Sequence, residues 1–171
     1  MKYFLFIILF ANFLFASLNI FTFKSDFSQK VKDESGKIIE YKGKLYFKKP
    51  MKVLWIYKQP LKKEIYILRN EVVIIEPELE QVTISRLREA INIIEILQNA
   101  KKIDKNRYQA SYNEQKFEIF TDESGNLKKI EFEDKLGNSV EIVFLNPKKN
   151  IDIDEKIFEY RIDPTFDVIY Q

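Results

Sequence analysis

From Phe27 to Ile84 apolar and polar residues alternate with a period of two, the mark of strands with one dry and one wet side. Phe27, Gln29 and Val31 alternate with Ser28, Lys30 and Lys32, and Asp33-Glu34-Ser35-Gly36 reads as the turn that ends this run. The second strand is Ile38 to Phe47, with Leu45 and Phe47 on one side and Lys44, Tyr46 and Lys48 on the other. Pro50 interrupts it. Met51, Val53, Trp55 and Tyr57 then share one face while Leu54 and Ile56 take the other, and Pro60 closes the strand. Glu64–Leu68 and Val72–Ile75 flank a hairpin turn at Arg69-Asn70-Glu71, and Gln81–Ser85 is a further short strand.

The period changes next. Leu87, Ala90, Ile91, Ile94 and Leu97 form one helical stripe, which predicts a helix over Ser85 to Ala100. Ser85 suits its N-cap and Lys101-Lys102 its C-terminal end, where cations meet the negative pole of the dipole. Strands return at Arg107–Tyr112, Gln115–Thr121, Lys128–Glu133 and Ser139–Leu145, joined by turns in which Gly125 and Gly137 provide the residue tolerant of positive φ. Ile153–Phe158 has room for one helical turn, and Phe158, Tyr160 and Ile162 alternate up to Pro164.

About ten antiparallel strands and one main helix make a mainly β chain, and a sheet of that width curls. The expected shape is an unclosed half-barrel of antiparallel strands, its dry concave face covered by the helix and by short helical segments. Alternation does not decide whether the space beneath the helix is filled by side chains or hollow.

Composition narrows the chemistry. The 171 residues include no His and no Cys, which excludes Ser-His and Cys-His nucleophile pairs, disulfides, and zinc or haem held by those ligands. A carboxylate-only glycosidase needs two acids facing each other across a cleft, and Glu80, Asp104 and Asp134 have no evident partner. No cofactor and no catalysis are expected. With 28 basic and 26 acidic residues, the net charge of +2 is too balanced for a nucleic-acid binder.

Residues 1–16 differ from the rest. Lys2 is the one charge, Tyr3 to Phe15 is apolar apart from Asn12, and Ala16 follows. The apolar run is shorter than the roughly 20 residues a spanning helix needs, so it reads as a secretory signal cleaved after Ala16, with an uncleaved anchor as the alternative. Residues 17–171 are then one exported, soluble domain.

Several strings, in order and spacing, resemble the LolA family of periplasmic outer-membrane lipoprotein carrier proteins. They are Phe27-Ser28-Gln29-Lys30-Val31 with Asp33 and Ser35-Gly36, Gly43 to Pro50, Leu54 to Pro60, Leu79-Glu80-Gln81-Val82-Thr83, and Ile157 to Pro164. The resemblance implies an unclosed barrel that receives the acyl chains of triacylated lipoproteins and carries them across the periplasm. It also implies loading by an inner-membrane ABC-type release complex (LolCDE-like) and, in many bacteria, delivery to an outer-membrane LolB-like receptor. A monomer is expected. A lipid- or lipoprotein-sensing regulatory module of the same fold, which keeps its ligand, is the alternative.

On this resemblance Leu45, Phe47, Val53, Trp55 and Tyr57 face the acyl-chain cavity. Alternation continues the dry side through Phe117, Ile119, Ile130, Phe132, Val140, Ile142 and Phe144, where cavity wall and ordinary core read alike. Leu87, Ile91, Ile94 and Leu97 would seal it as a lid. The family's Lys-Arg-Pro, whose Arg hydrogen-bonds the lid, is Lys48-Lys49-Pro50 here, making Lys49 the expected latch. Its single ammonium grips less firmly than a guanidinium fork.

Overall fold

A computed structural model of the chain describes residues 18–69, 71–86 and 92–171; the leader expected over residues 1–16 lies outside them. One open sheet of twelve strands runs through the molecule, in the order β12-β6-β5-β4-β3-β2-β1-β11-β10-β9-β8-β7. The first six strands are β1 (Thr22–Lys32), β2 (Ile38–Lys48), β3 (Lys52–Gln59), β4 (Lys63–Ile67), β5 (Glu71–Glu76) and β6 (Gln81–Arg86). After a short helix α1 (Ile93–Gln98) come β7 (Lys101–Asp104), β8 (Arg107–Tyr112), β9 (Gln115–Thr121), β10 (Leu127–Glu133), β11 (Ser139–Lys149) and β12 (Asp167–Tyr170). Strand β1 sits in the middle and pairs with β2 on one side and β11 on the other, so the two halves of the chain meet along it.

Twelve strands replace the ten expected. Both unexpected strands, β7 and β12, are four residues long and wholly exposed, so neither has a dry side to print a period on the sequence. The pairing of β12 with β6 is parallel, which corrects the all-antiparallel expectation. Strand β1 also starts earlier than Phe27. Ser25 breaks the apolar row there, but it is buried and its hydroxyl hydrogen-bonds to the carbonyl of Leu145, 2.8 Å away, at a bulge.

The helix is much shorter than Ser85–Ala100. Ser85 belongs to β6, opposite Val72, and the N-cap is Asn92, whose Oδ1 accepts from the Ile94 amide at 3.1 Å. Lys101-Lys102 begins β7 rather than closing the helix. Leu87 and Ile91 lie outside the described residues.

The expectation of one wet face holds for only half of the sheet. On β3 to β6 the outer face is apolar too: Leu54, Tyr66, Val73, Ile75 and Val82 form a second core. The chain beyond β11 covers it. Ile153 and Phe158 are buried there, and Tyr160, Ile162 and Phe166 pack alongside, so the alternation of 158–162 marks a covering segment rather than a strand. A 3-10 turn (Glu155–Phe158) lies within this segment.

That turn is pinned by charge. The Glu155 carboxylate accepts from Lys48 at 2.8 Å and from Lys52, and these two hydrogen bonds hold its pKa down to about 2, against an ordinary value of 4.5. A carboxyl lowered on folding adds stability above the unfolded value and loses it as pH falls through the folded one. The urea midpoint of Glu155→Gln is therefore expected to lie below that of the parent at neutral pH. The gap should close as pH falls from 4.5 to about 2. A gap independent of pH would show that Glu155 acts by packing.

Candidate functional site: an apolar concave face

Cross-strand register stacks the concave side chains in rows. Phe47, Val53, Ile67 and Val72 make one row across β2 to β5, and Leu45, Trp55, Ile65 and Ile74 make the next. Across β1 the rows continue through Phe144, opposite Phe27, and then through Ile142, Ile130, Ile119 and Tyr108 on successive strands. Val140, Phe132, Phe117 and Ala110 follow in the same way.

All the expected cavity residues therefore lie on one face and in one continuous cluster, with Ile94 and Leu97 of α1 set into it. Aromatic rings fill its centre. Phe27 meets Trp55 and Tyr57 edge-on at 5.1 and 5.2 Å between centroids, and Phe23 stacks on Phe47 at 5.3 Å. Leu45, Phe47 and Val53 are 0% exposed. In this conformation the wall is packed shut at that point.

A cavity of about 240 Å³ remains on the concave side, beside the β3–β4 turn. Val31, Leu61 and Ile65 supply its apolar walls, and Gln29, Tyr41, Tyr57 and Lys63 its polar groups. The Tyr57 hydroxyl donates to Gln29 Oε1 at 2.9 Å, and burial pushes its pKa up, with Tyr41 adding to the shift. The volume is below the roughly 300–1,000 Å³ of pockets that enclose drug-sized ligands.

At the opposite end, α1 is tied to the sheet through Asn92. This side chain is 0% exposed, and its Nδ2 donates to Met51 Sδ at 2.8 Å and to Glu95 Oε1 at 3.2 Å. Met51 belongs to the turn between β2 and β3. The helix lies against β8, where burial raises the Tyr112 phenol pKa and the nearby Glu95 adds to it.

Lys49, the expected latch, is placed against the N-terminal segment. Its amide donates to the Phe21 carbonyl at 2.8 Å and its ammonium lies 5.0 Å from the Phe21 ring centroid. Its neighbour Met51 makes the turn's contact with the helix. The sequence pattern puts Met51 at the head of the β3 row and does not single out Asn92, yet a signal is present there. Asn92, followed three residues later by Glu95, has the spacing of a capping box.

Fold and site together define an open, mainly β sheet with an apolar concave face under a short helix. No described helix is long and apolar enough to cross a membrane. The same fold is found in an uncharacterised conserved protein of Thermus thermophilus, at 12% identity and a TM-score of 0.57, covering 90% of this chain and 93% of that one. A LolA-superfamily protein of Nitrosomonas europaea matches with a TM-score of 0.50 at 13% identity, over 84% and 92% of the two chains.

Sequence comparison is more specific. Residues 19–161 match the family model described as outer membrane lipoprotein carrier protein LolA. An outer-membrane lipoprotein carrier protein of Wolinella succinogenes is 41% identical over 153 residues, covering 90% of this chain and 89% of that protein. One of Campylobacter jejuni is 36% identical over 169 residues, 98% of each. The chain belongs to the LolA family.

Proposed function

We propose that this chain is a periplasmic lipoprotein chaperone, which takes up the acyl chains of lipoproteins released from the inner membrane and carries them to the outer membrane. Membership of the carrier family supports this, and the observation that carries it is the continuous apolar wall from β3 to β8 with α1 seated on it. Each methylene hidden from water is worth about 0.8 kcal/mol, so an acylated protein needs a dry surface of similar extent to cross an aqueous space.

Leu45, Phe47, Val53, Trp55 and Tyr57 on one side, and Phe117, Ile119, Phe132, Ile142 and Phe144 on the other, are the surfaces assigned to the chains. The packed conformation is then the empty carrier, and loading requires Ile94 and Leu97 to lift away so that acyl chains replace them. Met51 and Asn92 act as the clasp, and Lys49 works on the lid through the turn it shares with Met51. Residues 1–16 serve as the export signal. An ABC-type release complex loads the carrier, a LolB-like outer-membrane receptor or the membrane itself unloads it, and the protein works as a monomer without a cofactor.

The test is release from spheroplasts of the native host. Mature chain (residues 17–171) is added to cells making a tagged lipoprotein, with a non-acylated cargo variant beside it. Tagged cargo is expected in the soluble fraction, one to one with the carrier, only when acylated. Failure to release it, with a free lipid retained by the purified protein, would instead support the sensing module.

A further inference from the structure

We infer that the small cavity beside the β3–β4 turn is a seat for the acyl carbonyl groups, the ester and amide linkages that join fatty chains to the first residue of the cargo. The inference rests on the carrier reading and adds to it a direction: linkages at this end, chains running inward towards Trp55 and Leu45.

The cavity is unlike the rest of the concave face. Elsewhere the inner rows are mostly hydrocarbon, and the buried Ser25 opposite Leu45 is satisfied at the Leu145 carbonyl, whereas here Gln29 interrupts the row between Ile142 and Tyr41, its partners across β11 and β2. Gln29 Oε1 is occupied by the Tyr57 hydroxyl. Its two amide N–H groups and the Tyr41 hydroxyl, by contrast, have no hydrogen-bond partner among the described residues. Tyr41 and Tyr57 meet edge-on at 5.9 Å, which holds both phenols on the cavity wall.

Lys63 is already committed, 2.8 Å from Glu76 across β4 and β5, so the cavity presents neutral donors rather than a free cation. Neutral donors beside the apolar walls of Val31, Leu61 and Ile65 suit neutral acceptors. A phosphate or carboxylate would have to give up water for no counter-charge, whereas a carbonyl oxygen matches both the polarity and the surroundings. Tyr57 fixes which atom of the Gln29 amide is left over. The hydrogen bond from its hydroxyl uses the oxygen side of the amide and leaves both N–H groups available to donate.

The volume of the cavity also sets a limit. At about 240 Å³ it can hold the polar linkage, but not whole chains, which must continue under the aromatic cluster of Phe27, Trp55 and Tyr57. The cargo polypeptide would leave past exposed Leu61 at the rim, away from Met51 and the lid contact.

The experiment compares two synthetic probes on the intact mature chain, followed by Trp55 fluorescence: a dipalmitoylglyceryl-cysteine peptide and its dihexadecyl ether analogue. The ether keeps the hydrocarbon but loses the carbonyl acceptors. Wild-type protein is expected to bind the ester about tenfold more tightly, the size of a typical net hydrogen-bond gain. Gln29→Leu should bring the ratio close to one while still binding both. Tyr41→Phe should lower it in the same sense, and carries the test if Gln29→Leu does not fold. Because a ratio is read, general destabilisation leaves it unmoved. Equal binding of the two probes by the wild type overturns the inference, as does a tenfold ratio that survives in both variants. Binding of neither probe would overturn the carrier reading itself, and this inference with it.

Discussion

Tying position 51 to position 92 with a short reducible cross-linker is expected to lower uptake of an acylated peptide at least tenfold, and reductant should restore it. The chain has no cysteine, so Met51→Cys with Asn92→Cys gives the only two thiols available. The parent side chains touch at 2.8 Å, one on the β2–β3 turn and the other at the N-cap of α1, so the tether fixes a contact that already exists. Ile94 and Leu97 then cannot leave the apolar cluster, and incoming chains find no space behind fully buried Leu45, Phe47 and Val53. Loss of the Asn92 cap alone costs about 1 kcal/mol of helix stability, so the reduced double variant is the proper reference. Uptake unchanged by the tether would show that chains enter without movement of α1.

The largest loss of stability is expected from the smallest substitution. A Cβ on Gly43 would fall well inside contact distance of the Ile56 carbonyl oxygen and 2.9 Å from Phe27 Cε1. Gly43 lies at a bulge between β2 and β3, and the Phe27 and Tyr57 rings meet at 5.2 Å on the strands either side of it. Backbone on one side and a packed ring on the other leave no cheap relaxation. Gly43→Ala should cost about 3 kcal/mol, the upper end for overpacking, and lower the melting temperature by about 6–12 °C in a chain of this size. A calorimetric shift of a degree or two would mean that the bulge can reseat, and that Phe27 is less tightly held than its burial suggests.

Alternation made one side of each strand legible. The expected bounds of β8 and β9 agree with the structure residue for residue, because six or seven alternating positions end at the sharp Asn113-Glu114 turn. The concave set from Leu45 to Phe144 was legible for the same reason: a period of two tells which residues share a face. It does not tell what lies opposite. The outer core at Leu54, Tyr66 and Val73 is covered by a segment some hundred residues downstream, and nothing local to β3 announces Ile153 or Phe158. The clasp was hidden similarly, because Met51 and Asn92 are 41 residues apart: Met51 reads as the head of the β3 row, Asn92 lies off the helical stripe, and nothing local links the two. At Ser85 helical spacing misled about the N-cap alone: the residue, already the last of the expected strand Gln81–Ser85, pairs with Val72 on β5.

The two cores give the sheet unequal stiffness. Strands β3 to β5 have apolar packing on both faces, while β8 to β11 have it on one and carry exposed or half-exposed ion pairs such as Arg107–Glu118 and Lys129–Glu131 on the other. The molecule thus resembles a leaf spring clamped at one end, with its free leaf made of β8 to β11. Helix α1 lies against the free leaf at β8 and is fastened at Asn92 to the turn leading into the clamped one, so it works as a tie-rod across the curve. Any load that spreads the curve pulls on that fastening, so the force needed to open the carrier is set at one polar contact as well as by the buried wall.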